Sequence, residues 1–486
     1  MADKLKQKTI SGVAWSAIHK FAIMLLNFIS GIVLARLLTP HDYGVVGMLT
    51  IFLAISNTFI DGGFGSALIQ KKRPTNEDYS TILYWNLGLS VVLYGVLFVC
   101  APLIARFYNL PLLVDVLRVQ GLVLIFNAAR IVQRNQLRKQ LKFKKVAIIN
   151  ISSNIIALLV TIILAMNGWG VWALVAQQLL LGFLTTCLYW FTSSWKPLLV
   201  FSLQSFKELF SFGGFILLSN LFSTLCNNIQ GLLIGKVYNS STLGIYTKAQ
   251  RTESLSSTFI SSVLDQVSYP VLSETQNDKE KMIAILKLFI GTSAYITFPL
   301  MLLLILLAKP LFLFLYSERW LQSVPFFQVL CLAGIAICLQ NINYYAVAAV
   351  GKSKELLKWT FVKRGVGLLL VVVGLWLYGI YGLLIGSVVT SWFIYIVNAW
   401  LASRYVGYTL RQQFYDLIPI IIISGAAFLA SILADFLPNT NLYMKGFAQL
   451  FIFVSTYILL SVLLKVESFS FAKKTLIELC NKFIHK

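Results

Sequence analysis

Gly31-Ile-Val-Leu-Ala-Arg-Leu-Leu-Thr-Pro-His-Asp-Tyr-Gly-Val-Val46 and Gly231-Leu-Leu-Ile-Gly-Lys-Val-Tyr-Asn-Ser-Ser-Thr-Leu-Gly-Ile-Tyr246 align without a gap at an offset of 200. Gly31, Arg36 and Gly44 fall on Gly231, Lys236 and Gly244. Working outward, Pro102 and Tyr108 fall on Pro310 and Tyr316, and Gly121 falls on Gly334. Gly-Val-Trp-Ala-Leu (170–174) reads like Gly-Ile-Tyr-Gly-Leu (379–383). The offset drifts through 208, 213 and 209, as small loop insertions between two old copies would make it. The copies are written in apolar helices. Membrane proteins built from two related halves are mostly transporters with a substrate site at the repeat interface. The duplication predicts a carrier.

Of 486 residues, 58% are hydrophobic and 12% charged, against roughly 25% charged in soluble domains. The apolar residues come in blocks of about 20, the length that crosses a bilayer core. They predict an all-α polytopic membrane protein with about fourteen transmembrane helices: 9–35, 43–69, 79–105, 112–135, 146–166, 170–192, 209–233, 242–270, 282–307, 321–349, 359–377, 381–402, 415–436 and 446–464. Residues 1–192 form an N-terminal six-helix set and 209–402 its copy, joined by a cytoplasmic linker, 193–208. Two additional helices (403–464) and a basic amphipathic tail (465–486), read as a membrane-surface anchor, follow. Six helices per copy is an even number, so both copies enter the membrane in the same direction.

Net charge is +22, which would suit a nucleic-acid binder, but its distribution points elsewhere. With both termini in the cytoplasm, cytoplasmic segments hold twenty-five of the forty Lys and Arg residues and external loops six. That asymmetry is the positive-inside pattern. It assigns the excess to topology and excludes nucleic acid as the partner. The chain has six cysteines without metal-ligand spacing and three histidines, so no metal site is expected. No cleavable signal, Walker loop, dinucleotide fingerprint or nucleophile elbow is visible, and every loop is too short for a soluble catalytic domain. The expectation is a non-enzyme without a cofactor.

Nine basic residues remain inside the spans: Lys20, Arg118, Arg130, Arg134, Lys248, Arg251, Lys287, Lys363 and Arg364. The acids well inside number three, Asp61, Glu253 and Asp265. A basic side chain at mid-bilayer costs at least about 2.5 kcal/mol by insertion scales, so such residues usually face a cavity. Nine against three cannot all pair, which predicts a cationic interior for an anionic ligand. The charges also form stripes. Lys248, Arg251, Ser254, Thr258, Ser262 and Asp265 step by three and four residues along one helix face. Gln120, Asn127, Arg130 and Arg134 make a second stripe, and Ser16, Lys20, Asn27 and Gly31 a third. The duplication sets Asn220, Asn227 and Gly231 against Lys20, Asn27 and Gly31, with apolar Ile216 against Ser16. Polar stripes on corresponding helices predict one water-filled cavity. Lys287 lies near a cytoplasmic end and is read as snorkelling. Lys363 and Arg364 are adjacent, so one of them looks inward. Asp61, before Gly62, Gly63 and Gly65, marks either a cytoplasmic gate or close helix packing.

Three blocks carry a resemblance: Gly12-Val-Ala-Trp15, Ala35-Arg-Leu-Leu-Thr-Pro-His-Asp-Tyr-Gly44, and Asp61-Gly-Gly-Phe-Gly-Ser-Ala-Leu-Ile-Gln70. The chain resembles the Wzx-like polysaccharide flippases of the multidrug/oligosaccharidyl-lipid/polysaccharide transporter superfamily over essentially its whole length. The resemblance implies a bacterial inner-membrane protein moving an undecaprenyl-pyrophosphate-linked glycan from the cytoplasmic to the periplasmic face. It implies membrane lipids as surroundings, with a polysaccharide polymerase and glycosyltransferases as partners. On this reading Lys20, Asn27, Arg118, Arg130, Asn220, Asn227, Lys248, Arg251, Lys363 and Arg364 bind substrate. Asp61, Glu253 or Asp265 would take part in gating or in coupling to a proton or sodium ion. The alternative, a drug/cation antiporter of the same superfamily, predicts a cavity dominated by acids. A membrane-embedded polymerase or ligase would need a long external loop that the chain lacks, and an assembly scaffold without transport is the remaining reading.

Overall fold

The computed structural model describes residues 2–436, 441–466 and 469, without the side chains of 2–10, 13, 212 and 263–267. The tail beyond 469 and the Asp265 side chain therefore lie outside the described residues. In order, the helices are α1 (Ala2–Leu37), α2 (Pro40–Asp61), α3 (Phe64–Gln70), α4 (Asn76–Tyr108), α5 (Leu113–Gln120), α6 (Val123–Lys139), α7 (Phe143–Met166) and α8 (Val171–Thr192). They continue as α9 (Leu203–Val237), α10 (Ser240–Glu274), α11 (Lys279–Leu306), α12 (Ala308–Tyr316), α13 (Ser323–Ala349), α14 (Ser353–Tyr405), α15 (Leu410–Ile432) and α16 (Leu442–Leu463). Among the described residues there is no strand.

The segments expected to cross the membrane are mostly helical, with breaks inside 43–69 at Gly62 and Gly63 and inside 112–135 at 121–122. Among the described residues ten helices are long and apolar enough to cross, and eleven if the bent α9 counts as one span. The α10 segment, rich in Ser, Thr and charge, is not among them. Two expected spans, 359–377 and 381–402, merge into α14, which breaks its helical geometry at Tyr378 and Gly379. Gly374 and Gly382 bring the two arms together: a Cβ on either would collide with the other's carbonyl oxygen. On α4, Val92, Val96, Val99 and Leu103 leave an exposed apolar stripe at helical spacing, as a lipid-facing surface requires.

Caps set the boundaries. Thr39 accepts from the Asp42 amide while Asp42 accepts from the Thr39 amide, closing a capping box with Pro40 in the first turn. In the second copy Asn239 does the same work, its Oδ1 accepting the Thr242 amide at 2.8 Å. The helix–turn–helix profile of 31–40 recurs unchanged over 231–240, and the burial profile of 41–50 recurs position for position over 241–250. The duplication is thus present in the backbone as well as the sequence.

The chain forms two compact units, Met1–Thr247 and Lys248–Lys486. This division follows packing rather than the repeat. Helix α9, which opens the second copy, packs along α2 in the first unit, where Gly63 and Gly213 meet so closely that a Cβ on Gly63 would strike the Gly213 carbonyl. Small residues permit such approach where lipid supplies no hydrophobic drive between helices. The core of the first unit gathers Phe64, Leu68, Tyr79, Ile82, Val132 and Leu209. The linker joins it. Trp195 is buried against Tyr79, and Phe206 packs at a tilt on Trp85 with ring centroids 4.4 Å apart. The linker amides of Leu198 and Ser202 are satisfied by Ser80 and Thr81.

Candidate cation-lined site

In the first unit, Arg130, Arg134 and Arg138 occupy successive turns of α6 and climb about 12 Å along one face at 1.5 Å per residue. Arg130 donates to the Thr185 hydroxyl of α8. Arg134 and Arg138 lie within electrostatic reach of Asp61, where α2 ends in the left-handed pair Gly62 (φ 53°) and Gly63 (φ 71°). All three arginines act on the Tyr189 hydroxyl, which also accepts from Asn150 at 3.0 Å. Arg138 further reaches His19 of α1, beside exposed Lys20. None of the three forms an ion pair within 4 Å among the described residues. The Arg134 Nε is buried without a hydrogen-bond partner. The ladder is therefore a run of under-compensated cations, with Asp61 in range of Arg134 and Arg138 among the described residues.

The basic end of α6 is anchored by its neighbour. Lys139 donates to the carbonyls of Leu68 (2.8 Å), Ile69 (3.2 Å) and Lys71, closing the C-terminus of α3. Lys71 in turn bridges Asp78 of α4 and Glu208 of α9, each at 3.0 Å. Burial lowers the Lys71 pKa, but the hydrogen bonds it donates to the Asp78 and Glu208 carboxylates outweigh that and hold the ammonium above its ordinary value.

The remaining candidates of this unit divide. Asn27 of α1 and Asn220 and Asn227 of α9 are exposed on their helices. Asn127 donates to Asn57 at 2.9 Å and Gln120 to Gln178 at 2.7 Å, so the two amides of the second stripe are spent on helix packing and its two arginines are left to the ladder. Arg118 stacks over the Phe98 ring at 4.4 Å.

In the second unit the expected α10 stripe separates. Lys248 is 3% exposed, with its Nζ 3.7 Å from the Tyr316 ring centroid and 5.5 Å from that of Trp320. Aromatic faces stabilise a desolvated ammonium by about 2 kcal/mol or more. Tyr316 is fixed by a 3.1 Å hydrogen bond with Thr252. Arg251 and Thr258, by contrast, are exposed. Glu253 is 5% exposed and presses on Gly334 of α13, where a Cβ would collide with its Oε1. That oxygen has no hydrogen-bond partner, and Glu253 makes no ion pair among the described residues. Lys363 turns inward, donating at 2.6 Å to Asn398, which donates to the Gln340 carbonyl at 3.0 Å. Arg364 is half-buried beside it. Lys287 is tied to Asp416 of α15 at 3.3 Å.

Arg138 lies beyond the expected span 112–135 and is absent from the sequence candidates, although its i+4 spacing from Arg134 marks it. The Tyr316 and Trp320 cage is absent from them too, although Tyr316 is one of the duplicated positions.

A family model described as polysaccharide biosynthesis protein matches residues 33–325, more than half of the chain. Teichuronic acid biosynthesis protein TuaB of Bacillus subtilis strain 168 is 28% identical over 438 residues, 87% of this chain and 88% of that protein. Lipopolysaccharide biosynthesis protein WzxC of Escherichia coli strain K12 is 24% identical over the same shares. Succinoglycan biosynthesis transport protein ExoT of Rhizobium meliloti strain 1021 is 26% identical over 75% of this chain and 74% of its own. Among solved structures, lipid II flippase MurJ in an inward closed conformation superposes with a TM-score of 0.75 at 16% identity, over 93% of this chain and 98% of that one. An inward-facing multidrug transporter of the MATE family superposes at 0.60 and 18% identity, over 79% and 94%. These likenesses show a shared polytopic transporter fold.

Proposed function

The chain belongs to the polysaccharide biosynthesis protein family, and from that premise we propose that it is a flippase for a polyprenyl-pyrophosphate-linked oligosaccharide. The observation that carries the reading is the α6 ladder, three arginines of which Arg134 and Arg138 reach the Asp61 carboxylate, with Lys20 on α1 as a fourth cation of the same unit. A pyrophosphate is the natural complement of such a row. Guanidinium forks bind its oxygens through charge-assisted hydrogen bonds of about 1.5–3 kcal/mol each.

Arg138 and Arg134 would receive the diphosphate from the cytoplasmic side and hand it toward Arg130. Asn27, Asn220 and Asn227 would meet the sugars, and the polyprenyl tail would stay in lipid. Transport would run by alternating access, from the cytoplasmic to the periplasmic face of a bacterial inner membrane, through fourteen crossings with both termini inside. Lys248, Arg251, Lys363 and Arg364 would serve the second copy. A proton or sodium ion would couple through Glu253, Asp61 or Asp265. No step needs bond cleavage by the protein. The excess of bases over acids inside the spans opposes a drug/cation antiporter.

The test is complementation in cells whose own copy of the gene is deleted. The wild-type chain should restore surface polysaccharide and clear the lipid-linked glycan that builds up without it. Arg130→Ala/Arg134→Ala should do neither while remaining abundant in the membrane. Full restoration by that variant would remove the ladder from the mechanism.

A further inference from the structure

The two duplicated turns interlock. A Cβ on Gly44 would fall inside the Ser240 carbonyl oxygen, and a Cβ on Gly244 inside the Pro40 carbonyl oxygen. Gly44 and Gly244 are the same position of the two copies, so each receives the backbone of the other copy's turn. All four residues belong to the first compact unit. The collisions are with backbone rather than with the ends of flexible side chains, so no rotamer change relieves them. The contact is also fastened. His41 Nδ1 and the Ser240 hydroxyl lie 2.6 Å apart. Lys236 donates to the Phe107 carbonyl at 2.6 Å and sits 4.5 Å over that ring's centroid. Beneath the glycines, Gly47 packs on Leu243, and Gly235 on Tyr108 and Met48.

We propose that Gly44 and Gly244 form a paired backbone seal at the external ends of α1, α2, α9 and α10, which must part for substrate to leave. Pro40, His41, Ser240 and Ser241 lie in the turns that positive charge assigns to the outside. Two backbones in direct contact form an all-or-none closure, because a packed interface has discrete arrangements rather than a soft continuum. The Gly44 and Gly244 contact closes by backbone shape, while the cations of the ladder stay with the substrate. The inference rests on the flippase reading for what passes, but its test reads closure apart from transport.

The experiment uses the full-length chain in intact cells, in a version whose native cysteines have been replaced. Reporters Asn27→Cys and Asn220→Cys, exposed on α1 and α9, are first verified to react in inside-out vesicles. Asn27 lies about 15 Å before the end of α1 at 1.5 Å per residue. With Gly44 and Gly244 intact, a membrane-impermeant thiol reagent added outside should label these reporters slowly. Gly44→Leu or Gly244→Leu should raise the external labelling rate at least tenfold. Unchanged labelling overturns the seal. A second arm leaves the glycines alone. Joining His41→Cys to Ser240→Cys with a short bis-methanethiosulfonate reagent, which forms a disulfide at each cysteine with loss of methanesulfinate, should lower export at least tenfold, and reducing those disulfides should restore it. Export at the uncrosslinked rate by the joined protein also overturns the seal. If the labelling changes as expected and no glycan moves, the seal stands and the flippase reading falls.

Discussion

Met48, Phe52 and Tyr108 in the first copy occupy the places of Lys248, Thr252 and Tyr316 in the second. The architecture is shared. Phe52 meets Tyr108 edge-on with centroids 6.4 Å apart, and Thr252 hydrogen-bonds Tyr316 at 3.1 Å. Met48 is 2% exposed and Lys248 3%. The chemistry has diverged, so that one copy buries a thioether where the other buries an ammonium. Further along α10, Arg251 and Glu253 replace Ile51 and Leu53. On α6 the difference runs the other way. At the offset of 213 fixed by Gly121 and Gly334, Arg130 and Arg134 face Asn343 and Val347 of α13. The copies therefore kept their turns, caps and sealing glycines and distributed their cations on different helices. Backbone geometry was held by the reciprocal contact, which tolerates no Cβ, whereas side chains along the stripes were free to specialise.

The largest effect should separate the two copies at the ladder. Arg130→Ala/Arg134→Ala removes two charge-assisted contacts, and at about 1.5–3 kcal/mol each export should fall by two orders of magnitude or more. Val347→Ala, the matched position on α13, should change export less than twofold. Equal losses at both would mean that packing rather than charge sets the rate. Polysaccharide export normalised to membrane abundance reads both.

Next is the buried ammonium. Lys248→Met writes the first copy's residue into the second and should reduce export about tenfold. The folded protein should melt no lower, because a packed apolar group often replaces a buried charge without loss. The reverse change, Met48→Lys, places a charge at a site without the Tyr316 and Trp320 cage and should lower the melting temperature. If Lys248→Met exports normally, the caged ammonium is structural.

A smaller and more selective change is expected at Glu253, whose counterpart is Leu53. Glu253→Gln keeps the shape and removes the charge. Export in vesicles under an imposed proton or sodium gradient should then lose its response to the gradient while basal movement persists. A response equal to that of the parent assigns coupling to Asp61, Asp265 or neither.

The smallest effect concerns Lys71. Its folded pKa lies above the ordinary lysine value, so its contribution is full below that value and is lost as pH rises through the folded one. Lys71→Met should flatten the alkaline end of a melting-temperature-versus-pH curve and leave export at neutral pH within about twofold.

Much of this was legible in the residues. The gap left between the spans ending at 377 and starting at 381 falls on the Tyr378–Gly379 break, and the offset of 200 falls on two turns with the same helix pattern. The partner of α9 was not legible. Periodicity tells which face of a helix is polar, but Gly213 carries no sign that it meets Gly63 of the other copy. Lys248 and Arg251 are about 60° apart on α10, which one broad stripe accommodates. Only the positions of Tyr316 and Trp320 turn one inward and leave the other exposed. Ladder and cage are relations between helices, and spacing within one helix does not encode them.

The central claim is that this chain carries a diphosphate-linked glycan across a bilayer on the α6 arginines. The direct measurement places purified protein in vesicles with a polyprenyl-pyrophosphate oligosaccharide and follows how fast the sugar becomes open to a glycosidase confined to one side. Wild-type protein should expose glycan from the opposite leaflet at least tenfold faster than protein-free vesicles, and Arg130→Ala/Arg134→Ala should fall to the protein-free rate. Exposure at the wild-type rate by that variant, or no exposure by the wild type, would contradict the account.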